Sequence, residues 1–281
     1  KKTWLRCQGY SYEASPNTFT NNVFTARKEA CRLSAVQTFY GKVAVDVFSC
    51  DKQLINGVSL RKSFLRAQDD FVTISEDQAK RYKVQITEAN LYVRKMVVND
   101  NVVSAIERTL LKSPAMYRYN EVIAKTFLAS NGQMSWKHED VFMKEPIRRL
   151  AIAMNTNAAF VGNRVQNPFW YQKFDLSEIT IYRNGLPIAG TPTSTIDDKR
   201  VYFSSLRSLA YIENGHGIPL NEFPNHYILV SDLTSTQEAS HDFIHPELTN
   251  ASITVELKFG TALGANTEIL MLGEKTSTLY I

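Results

Sequence analysis

The clearest pattern in this 281-residue chain is a strict alternation of apolar and polar positions near its C-terminal end. Apolar side chains occupy Ala251, Ile253, Val255, Leu257 and Phe259, and the four positions between them are polar. A period of two places successive side chains on opposite faces of a β-strand. The pattern therefore predicts one strand with a buried face and a solvated face.

Seven other segments after residue 115 have the length and composition of strands. They are Tyr117–Ala129, Gln133–His138, Ile147–Met154, Leu176–Arg183, Tyr227–Val230, Ile269–Leu272 and Thr278–Ile281. Lys199–Tyr211 interrupts this series, because its apolar residues recur at helical spacing and predict an amphipathic helix. About eight strands is the number in a jelly roll, whose two Greek keys form facing sheets. We therefore predict an all-β fold of jelly-roll β-sandwiches with short helical excursions, and a complete jelly roll over residues 115–281.

The first part of the chain has fewer strand-like segments. Predicted strands cover Lys42–Phe48, the two arms of a hairpin over 53–60, Phe71–Ile74 and the long segment Tyr82–Val98. In the last of these the apolar positions change parity, which predicts a β-bulge or a bend near Thr87 and Glu88. Residues 100–112 have apolar positions at helical spacing and end before Pro114, so we predict a short helix there.

These four or five strands are about half of a jelly roll and cannot bury the inner face of a sandwich alone. We therefore interpret residues 1–114 as the C-terminal part of a first, incomplete jelly roll plus a linker helix. The remaining strands would come from a segment that precedes Lys1 or from another chain. The chain begins without methionine, which is compatible with a longer parent chain that has been trimmed.

Four of the 12 glycines follow asparagine, a pair that favours tight turns because both residues tolerate positive φ. We predict structural turns at Asn56-Gly57, Asn131-Gly132 and Asn184-Gly185, and the fourth pair is Asn214-Gly215. Asn184-Gly185 lies between two short apolar runs, which predicts a β-hairpin with a type I′ turn. Such connections are typical of an antiparallel β-protein.

Composition places the chain among globular proteins, since 44% of its residues are hydrophobic. No apolar run approaches the roughly 20 residues that span a bilayer, so we expect no membrane insertion. The net charge of +4 is uneven: residues 1–114 have 18 Lys and Arg against 11 Asp and Glu, and residues 115–281 have 14 against 17. The resulting +7 in the first part is compatible with a polyanionic partner, whereas the interleaving of acids and bases favours an ordinary solvated surface.

Cysteine usage argues against both a disulfide framework and a zinc knuckle. Cys7, Cys31 and Cys50 are odd in number and widely spaced. We therefore expect the protein to be assembled in a reducing intracellular compartment.

Motifs for catalysis or metal binding are lacking in the sequence. His241 and His245 are four residues apart, but no third ligand group stands out beside them, so we predict no metal site. No nucleophile motif and no phosphate-binding glycine loop occurs, and Asp197-Asp198 is typical of a helix start. We predict neither enzymatic activity nor a cofactor.

An aromatic cluster precedes the predicted 184–185 hairpin. It consists of Phe169, Trp170, Tyr171 and Phe174. Large aromatic residues in such a segment either anchor a loop over a core or fill a contact between subunits, and interfaces are enriched in them. The alternative is a platform on which sugars or bases stack.

Several short motifs follow one another in an order that resembles a known family. They are Val43–Phe48 (VAVDVF), Leu54–Val58 (LINGV), Leu91–Lys95 (LYVRK), Asn167–Phe169 (NPF), Tyr182–Gly185 (YRNG) and Ile253–Phe259 (ITVELKF). In this order they resemble the major capsid proteins of Polinton/Maverick elements and adintoviruses. The resemblance covers about residues 40–281, and none of the motifs is catalytic.

That resemblance implies a double jelly roll of the lineage that includes the adenovirus hexon. It implies a homotrimeric, pseudo-hexagonal capsomer in the icosahedral capsid of a DNA virus. The partners it implies are neighbouring capsomers, penton and minor capsid proteins, and weak contact with packaged DNA. The alternative function is a non-enzymatic β-sandwich module that binds a glycan or a protein ligand through residues 169–174.

Overall fold

Eight β-strands form two antiparallel four-stranded sheets within the residues that the computed structural model describes, which are 22–43, 45–50, 52–77, 79–188, 196–209, 218–239 and 250–281. The strands are β1 (Met116–Ala129), β2 (Ser135–His138), β3 (Arg149–Thr156), β4 (Leu176–Arg183), β5 (Leu186–Pro187), β6 (Ile228–Asp232), β7 (Ile253–Phe259) and β8 (Thr267–Tyr280). One sheet has the order β1-β8-β3-β6, and the other has the order β2-β7-β4-β5.

The pairing of these strands identifies the topology. β1 pairs with β8, β2 with β7, β3 with β6 and β4 with β5, and every pair is antiparallel. The chain therefore folds back on itself as one long hairpin that contains four successive strand pairs. The first and third pairs lie in one sheet, and the second and fourth lie in the other. Pairing of β3 with β8 and of β4 with β7 completes each sheet. Two facing sheets with this strand order are a jelly roll, so the predicted fold class is confirmed.

The tip of this long hairpin is the turn between β4 and β5. Its two central residues, Asn184 (φ 50°) and Gly185 (φ 81°), both have the left-handed conformation that a type I′ turn requires. The pair Arg183 and Leu186 closes the turn. The Asn184 N–H donates to the Ser252 carbonyl, and its Oδ1 accepts from the Ser252 N–H, both at 2.9 Å. These bonds fix the tip to the chain that enters β7.

Side chains from the inner faces of both sheets form the hydrophobic core. In β7, Ile253, Val255, Leu257 and Phe259 are at most 3% exposed, as the alternating pattern predicts. They belong to one cluster with residues of β3, β4 and β8: Leu150, Ile152, Met154, Ile179, Ile181, Ile269 and Met271. Burial of each large aliphatic side chain contributes about 1.5–3 kcal/mol, so this cluster is the main source of stability.

The described residues also include α1 (Asn22–Ala30), α2 (Asp69–Val72), α3 (Asp100–Leu110), α4 (Asn157–Gly162) and α5 (Asp198–Ser208), with 3₁₀-helices at Arg32–Ser34, Asp46–Ser49 and Leu220–Asn225. The helices predicted over 100–112 and 199–211 are thus present as α3 and α5. Asp197 caps α5, since its Oδ1 accepts from the Lys199 N–H at 3.2 Å. α5 packs against β6, where Ser205 Oγ accepts from the Val230 N–H at 3.0 Å.

The strands predicted before residue 100 are wrong for the residues that the structure describes. Asp46–Ser49 is a 3₁₀-helix, Asp69–Val72 is an α-helix, and 82–98 has no regular secondary structure. The arms of the hairpin predicted over 53–60 form no ladder, and the predicted bulge near 87–88 has no strand to interrupt. An alternating pattern forms a strand only when its backbone groups have a partner strand and its apolar face has a surface to cover.

One detail of the jelly roll differs from the prediction, and two of the predicted turns lie where they were expected. The segments 269–272 and 278–281 belong to one strand, because β8 pairs with β1 without interruption from Met116–Tyr280 to Ala129–Thr267. Asn56-Gly57 and Asn131-Gly132 lie in turns, with both glycines at φ 84°. Asn214-Gly215 lies outside the described residues.

Candidate assembly surface

The first part of the chain covers part of the outer edge of β1. β1 is the last strand of its sheet, so one side of its backbone has no partner strand among the described residues. Asp46 Oδ2 accepts from the Val122 N–H at 3.0 Å. The Tyr117 hydroxyl accepts from the Ile55 N–H at 3.0 Å and donates to the Gln53 carbonyl at 3.2 Å. Open strand edges promote unwanted pairing, and these contacts protect this one.

A second contact joins α2 to α4. A Cβ placed on Gly162 would lie 3.2 Å from the Phe71 nitrogen and 3.3 Å from the Asp70 carbonyl carbon, so a side chain there would force the neighbouring backbone to shift by a few tenths of an ångström. Beside them the rings of Phe71 and Phe169 pack edge to face, with centroids 5.7 Å apart and planes at 77°. Such a pair contributes about 0.5–1.5 kcal/mol beyond the area it buries.

Arg164, which follows α4, links the jelly roll to two stretches of the first part. Its guanidinium forms an ion pair with Asp70, and its Nη1 donates to the Lys80 carbonyl at 2.5 Å. Its own carbonyl accepts from the Ser75 N–H at 2.8 Å. The side chain is only 11% exposed. Because a buried charge needs paired groups around it, Arg164 fixes both stretches at once.

The four aromatic residues of the 169–174 segment do not share one face. Phe169 is 60% exposed and contacts Phe71. Trp170 and Tyr171 are half-buried, and burial raises the pKa of the Tyr171 hydroxyl. Phe174 packs against the core. This arrangement provides no flat aromatic platform, and it favours packing and contact over ligand stacking.

Hydrogen bonds hold the aromatic segment on the sandwich. Asn155 Nδ2 donates to the Pro168 carbonyl at 2.8 Å, and the Gln172 N–H donates to the Met154 carbonyl at 2.9 Å. The Tyr227 N–H donates to the Tyr171 carbonyl at 3.0 Å. The exposed Phe169 ring is therefore presented on a segment that is fixed to β3 and to the start of β6.

Apolar side chains are distributed unevenly along the described chain. The hydrophobic side chains that the structure buries all lie between Tyr117 and Met271. In the described residues before 115, large apolar side chains stay exposed, among them Leu65 (98%), Tyr92 (82%) and Val97 (102%). Exposed apolar surface on this scale is typical of a contact with another chain or segment.

α3 shows the same property. It buries none of its residues, although its apolar positions lie on one face. Val102 and Ile106 line an apolar groove of about 320 Å³ together with Ile55 and Pro114. An amphipathic helix gains most of its stability from tertiary packing of its apolar face, and the part of the chain that the structure describes provides no such packing for α3.

A half-buried ionic cluster joins Arg148 and β3 to β8. Glu274 accepts from Arg148 Nε at 2.9 Å, from Arg149 Nε at 2.9 Å and from Arg149 Nη2 at 2.8 Å. Burial alone would raise the pKa of Glu274, but hydrogen bonds and charge from Arg149 and Arg148 outweigh it and hold the pKa below its ordinary value. The glutamate therefore stays ionised between two arginines, and its role is structural.

The described residues contain no group of three or more His, Cys, Asp or Glu side chains that is placed to hold a metal ion. His241 and His245 lie outside the described residues, as does Cys7. Cys31 and Cys50 are free thiols. Of the helices that the structure describes, none is long and apolar enough to cross a membrane.

Likeness to known proteins is found among solved structures. No protein-family model and no curated protein matches the chain. Among solved structures, the chain is similar to PBCV-1 VP54, from a crystal structure fitted into a cryo-EM reconstruction of the virophage Sputnik, at 12% identity and a TM-score of 0.38. The match covers 63% of this chain and 52% of that chain, so this chain spans about half of that protein's length. The jelly-roll assignment therefore rests on strand order and register.

Proposed function

We propose that the chain is the C-terminal portion of a double jelly-roll major capsid protein of the Polinton/Maverick and adintovirus kind, and that it builds a viral or virus-like shell. The observation that carries this proposal is the uneven distribution of apolar side chains. A complete sandwich is joined to a segment that leaves side chains such as Tyr92 and Val97 exposed. A protein whose work is assembly needs such surface, because other segments or subunits cover it in the final particle.

Two further features support the same proposal. The jelly roll is the sandwich whose strand order the two sheets adopt, and it is a recurrent fold of viral capsid domains. The motifs that resemble the Polinton/Maverick capsid proteins occur in both parts of the chain. In this proposal residues 1–114 complete a first jelly roll with an upstream segment, and residues 115–281 form the second.

The proposed assembly unit is a homotrimer. Three subunits with two upright sandwiches each give the pseudo-hexagonal outline that tiles an icosahedral capsid. Neighbouring capsomers and penton and minor capsid proteins would contact its outer faces, and packaged DNA its inner face. Obligate contacts of this kind commonly bury more than about 2,000 Å², which aliphatic and aromatic side chains of the first part are suited to provide.

Multi-angle light scattering on the full-length protein released from particles tests the proposal. We expect a mass of three chains at micromolar concentration. A stable monomer under those conditions would overturn the capsomer function.

Matched variants locate the contact. Val93→Ser together with Val97→Ser removes two exposed apolar side chains from the first part, and we expect it to weaken the trimer. Met143→Ser together with Phe203→Ser removes two exposed apolar side chains from the jelly roll and is the control. If only the control pair dissociated the trimer, the contact between subunits would lie on the jelly roll, and its proposed location in the first part would be wrong.

A further inference from the structure

Three Asn-Gly pairs lie in the part of the chain that the structure describes, and such pairs undergo a covalent change that needs no enzyme. They are Asn56-Gly57, Asn131-Gly132 and Asn184-Gly185, and all of these residues are exposed. Because glycine has no Cβ, its backbone nitrogen can approach the Cγ of the preceding asparagine without steric hindrance. The three pairs therefore share one reactivity, and the hydrogen bonds around each pair decide how fast it reacts.

In this reaction the glycine nitrogen gives its proton to water and forms a bond to the asparagine Cγ. The bond between Cγ and Nδ2 breaks, and Nδ2 takes a proton from water and leaves as ammonia. Water then opens the resulting cyclic imide at one of its two carbonyl groups. The product is aspartate, or isoaspartate in which the main chain continues through the side-chain carboxyl carbon. The reaction is fastest where the glycine N–H has no acceptor and the asparagine side chain is free to turn toward it.

The Asn131-Gly132 pair lacks the first of these two properties. The Gly132 N–H donates to the Leu263 carbonyl at 2.8 Å, in the turn that follows β1. The Asn131 N–H donates to Asn266 Oδ1 at 3.0 Å and holds the same turn at a second point. The nitrogen that would attack is therefore already bound, and its hydrogen bond has to break before the imide can form.

The Asn184-Gly185 pair lacks the second property. Asn184 Oδ1 accepts from the Ser252 N–H at 2.9 Å, and the Asn184 N–H donates to the Ser252 carbonyl at 2.9 Å. The backbone and the side chain of Asn184 are thus both bound to the chain that enters β7. The side-chain amide has to release the Ser252 N–H before its Cγ can turn toward the Gly185 nitrogen.

The Asn56-Gly57 pair has both properties. Neither the Gly57 N–H nor the Asn56 side chain has a hydrogen-bond partner among the described residues. A Cβ placed on Gly57 would meet no atom within 4 Å, so the space beside the pair is open. Of the three pairs, this is the one in which neither reacting group is held.

We propose that Asn56 is a site of spontaneous deamidation and isoaspartate formation, and that it reacts faster than Asn131 and Asn184. The inference goes beyond the proposed function, since the chemistry is the same whether or not the chain builds a shell. The only co-reactant is water. A higher pH accelerates the reaction, because hydroxide removes the proton from the glycine nitrogen.

The position of Asn56 gives this modification a structural consequence. The N–H of the preceding Ile55 donates to the Tyr117 hydroxyl at 3.0 Å, and that hydroxyl donates to the Gln53 carbonyl at 3.2 Å. Isoaspartate adds one carbon to the main chain directly after Ile55, and both products add a negative charge there. We expect these changes to weaken the contact that holds this stretch on β1.

Peptide mapping by mass spectrometry, on the full chain incubated at mildly alkaline pH, tests the ranking of the three sites. Trypsin cleaves after Lys and Arg and places the three asparagines in separate peptides, 53–61, 126–137 and 184–199. We expect peptide 53–61 to exchange its amide for a carboxyl group roughly three- to tenfold faster than the other two, since one hydrogen bond of ordinary net strength changes a rate by about this factor. Equal rates in the three peptides, or a faster reaction in either of the other two, would overturn the inference.

Unfolding in guanidinium chloride separates the effect of the fold from that of the flanking sequence. The hydrogen bonds of Gly132 and Asn184 are then lost, so we expect the three peptides to react at similar rates. The same ranking in the folded and the unfolded protein would assign it to the neighbouring residues and would contradict the inference.

Asn56→Gln is the matched variant, because it keeps the amide and lengthens the side chain by one methylene, which disfavours closure of the ring. It should abolish the mass change in peptide 53–61 and leave the rates of the other two peptides unchanged. A mass change that persisted in this peptide would overturn the assignment to Asn56.

Amide hydrogen exchange at Ile55 measures the structural consequence. Exchange at this N–H should become faster as the parent protein ages and should stay constant in Asn56→Gln. If exchange at Ile55 were unchanged in fully deamidated parent protein, the contact with Tyr117 would survive the modification, and the proposed consequence would be wrong.

Discussion

Gly162 in α4 lies against the backbone of Phe71 in α2, so closely that a Cβ on Gly162 would come within 3.2 Å of the Phe71 nitrogen. The φ of Gly162 is 118°, a conformation that L side chains rarely adopt. Backbone geometry therefore favours glycine here, and the close approach adds to that preference. This contact is the point at which a single substitution should separate the first part of the chain from the jelly roll.

Gly162→Ala should release α2 from α4 without unfolding the sandwich, at a cost of roughly 1–3 kcal/mol. The Ser75 N–H, which donates to the Arg164 carbonyl at 2.8 Å, reports this contact by amide hydrogen exchange. We expect faster exchange at Ser75 and unchanged protection in β7. Gly264→Ala is the control, since its Cβ would meet no atom within 4 Å. Unchanged exchange at Ser75 would show that the close approach does not hold the two parts together.

Phe169→Ala tests the same contact without backbone strain. It removes the edge-to-face pair with Phe71, and the exposed position of Phe169 leaves the core untouched. We expect amide exchange at Ser75 to be faster than in the parent protein, but slower than in the Gly162→Ala variant. Phe203→Ala removes another exposed aromatic ring and should have no effect on Ser75. If Ser75 exchanged equally fast in Phe169→Ala and in the parent protein, the contact would depend on the backbones of α2 and α4 and not on the aromatic pair.

The jelly roll was predictable because its sequence signals are local. The alternation of β7 identifies its buried face, and Asn184-Gly185 identifies the turn at the tip of the long hairpin. Strand order is not local, since β1 and β8 are more than a hundred residues apart along the chain. The count of strands therefore suggested the jelly roll, and only the observed pairing could establish it.

The contacts of the first part were not predictable from these patterns. Gly162 and Arg164 have no motif around them, and their importance arises from α2, which lies about ninety residues earlier. Residues 82–98 have the apolar pattern of a strand but no partner strand among the described residues. The spacing of apolar residues shows which side chains of a segment could be buried on one face. It does not show whether another part of the protein is present to cover that face.

Leu257→Ala should destabilise the jelly roll by about 2–5 kcal/mol, because Leu257 is fully buried in the middle of β7 and its removal leaves a cavity. The measurement is urea or thermal unfolding followed by far-ultraviolet circular dichroism. Lys258→Ala, on the opposite face, removes only an exposed ion pair with Glu178 and should have a small effect. Similar losses in both variants would contradict the orientation of the strand.

Gly185→Val should destabilise the tip of the hairpin, although a side chain there meets no atom within 4 Å. The cost is conformational, since φ is 81° and a β-branched residue is strongly disfavoured at positive φ; we expect roughly 1–3 kcal/mol. Gly264→Val has the same free space without positive φ and serves as the control. Equal unfolding temperatures of the two variants would show that the turn tolerates the strain.

Glu274→Gln should lower the free energy of unfolding at neutral pH, and the loss should become smaller as the pH falls into the acid range. At neutral pH the ionised carboxylate compensates Arg148, whose side chain is 3% exposed, and loss of one partner of a buried pair costs about 3–5 kcal/mol. The folded-state pKa of Glu274 lies below the unfolded one, so its contribution is complete above the ordinary glutamate pKa of about 4.3 and is lost as the pH falls through the lower folded value.

The difference in unfolding free energy between the parent protein and Glu274→Gln should therefore be largest near pH 7 and narrow below about pH 4.3. Urea unfolding at a series of pH values measures this difference. Glu178→Gln, which removes the exposed partner of Lys258, controls for the general effect of losing one surface charge. A difference that stays constant or widens toward low pH would mean that the two arginines do not hold Glu274 in its ionised form.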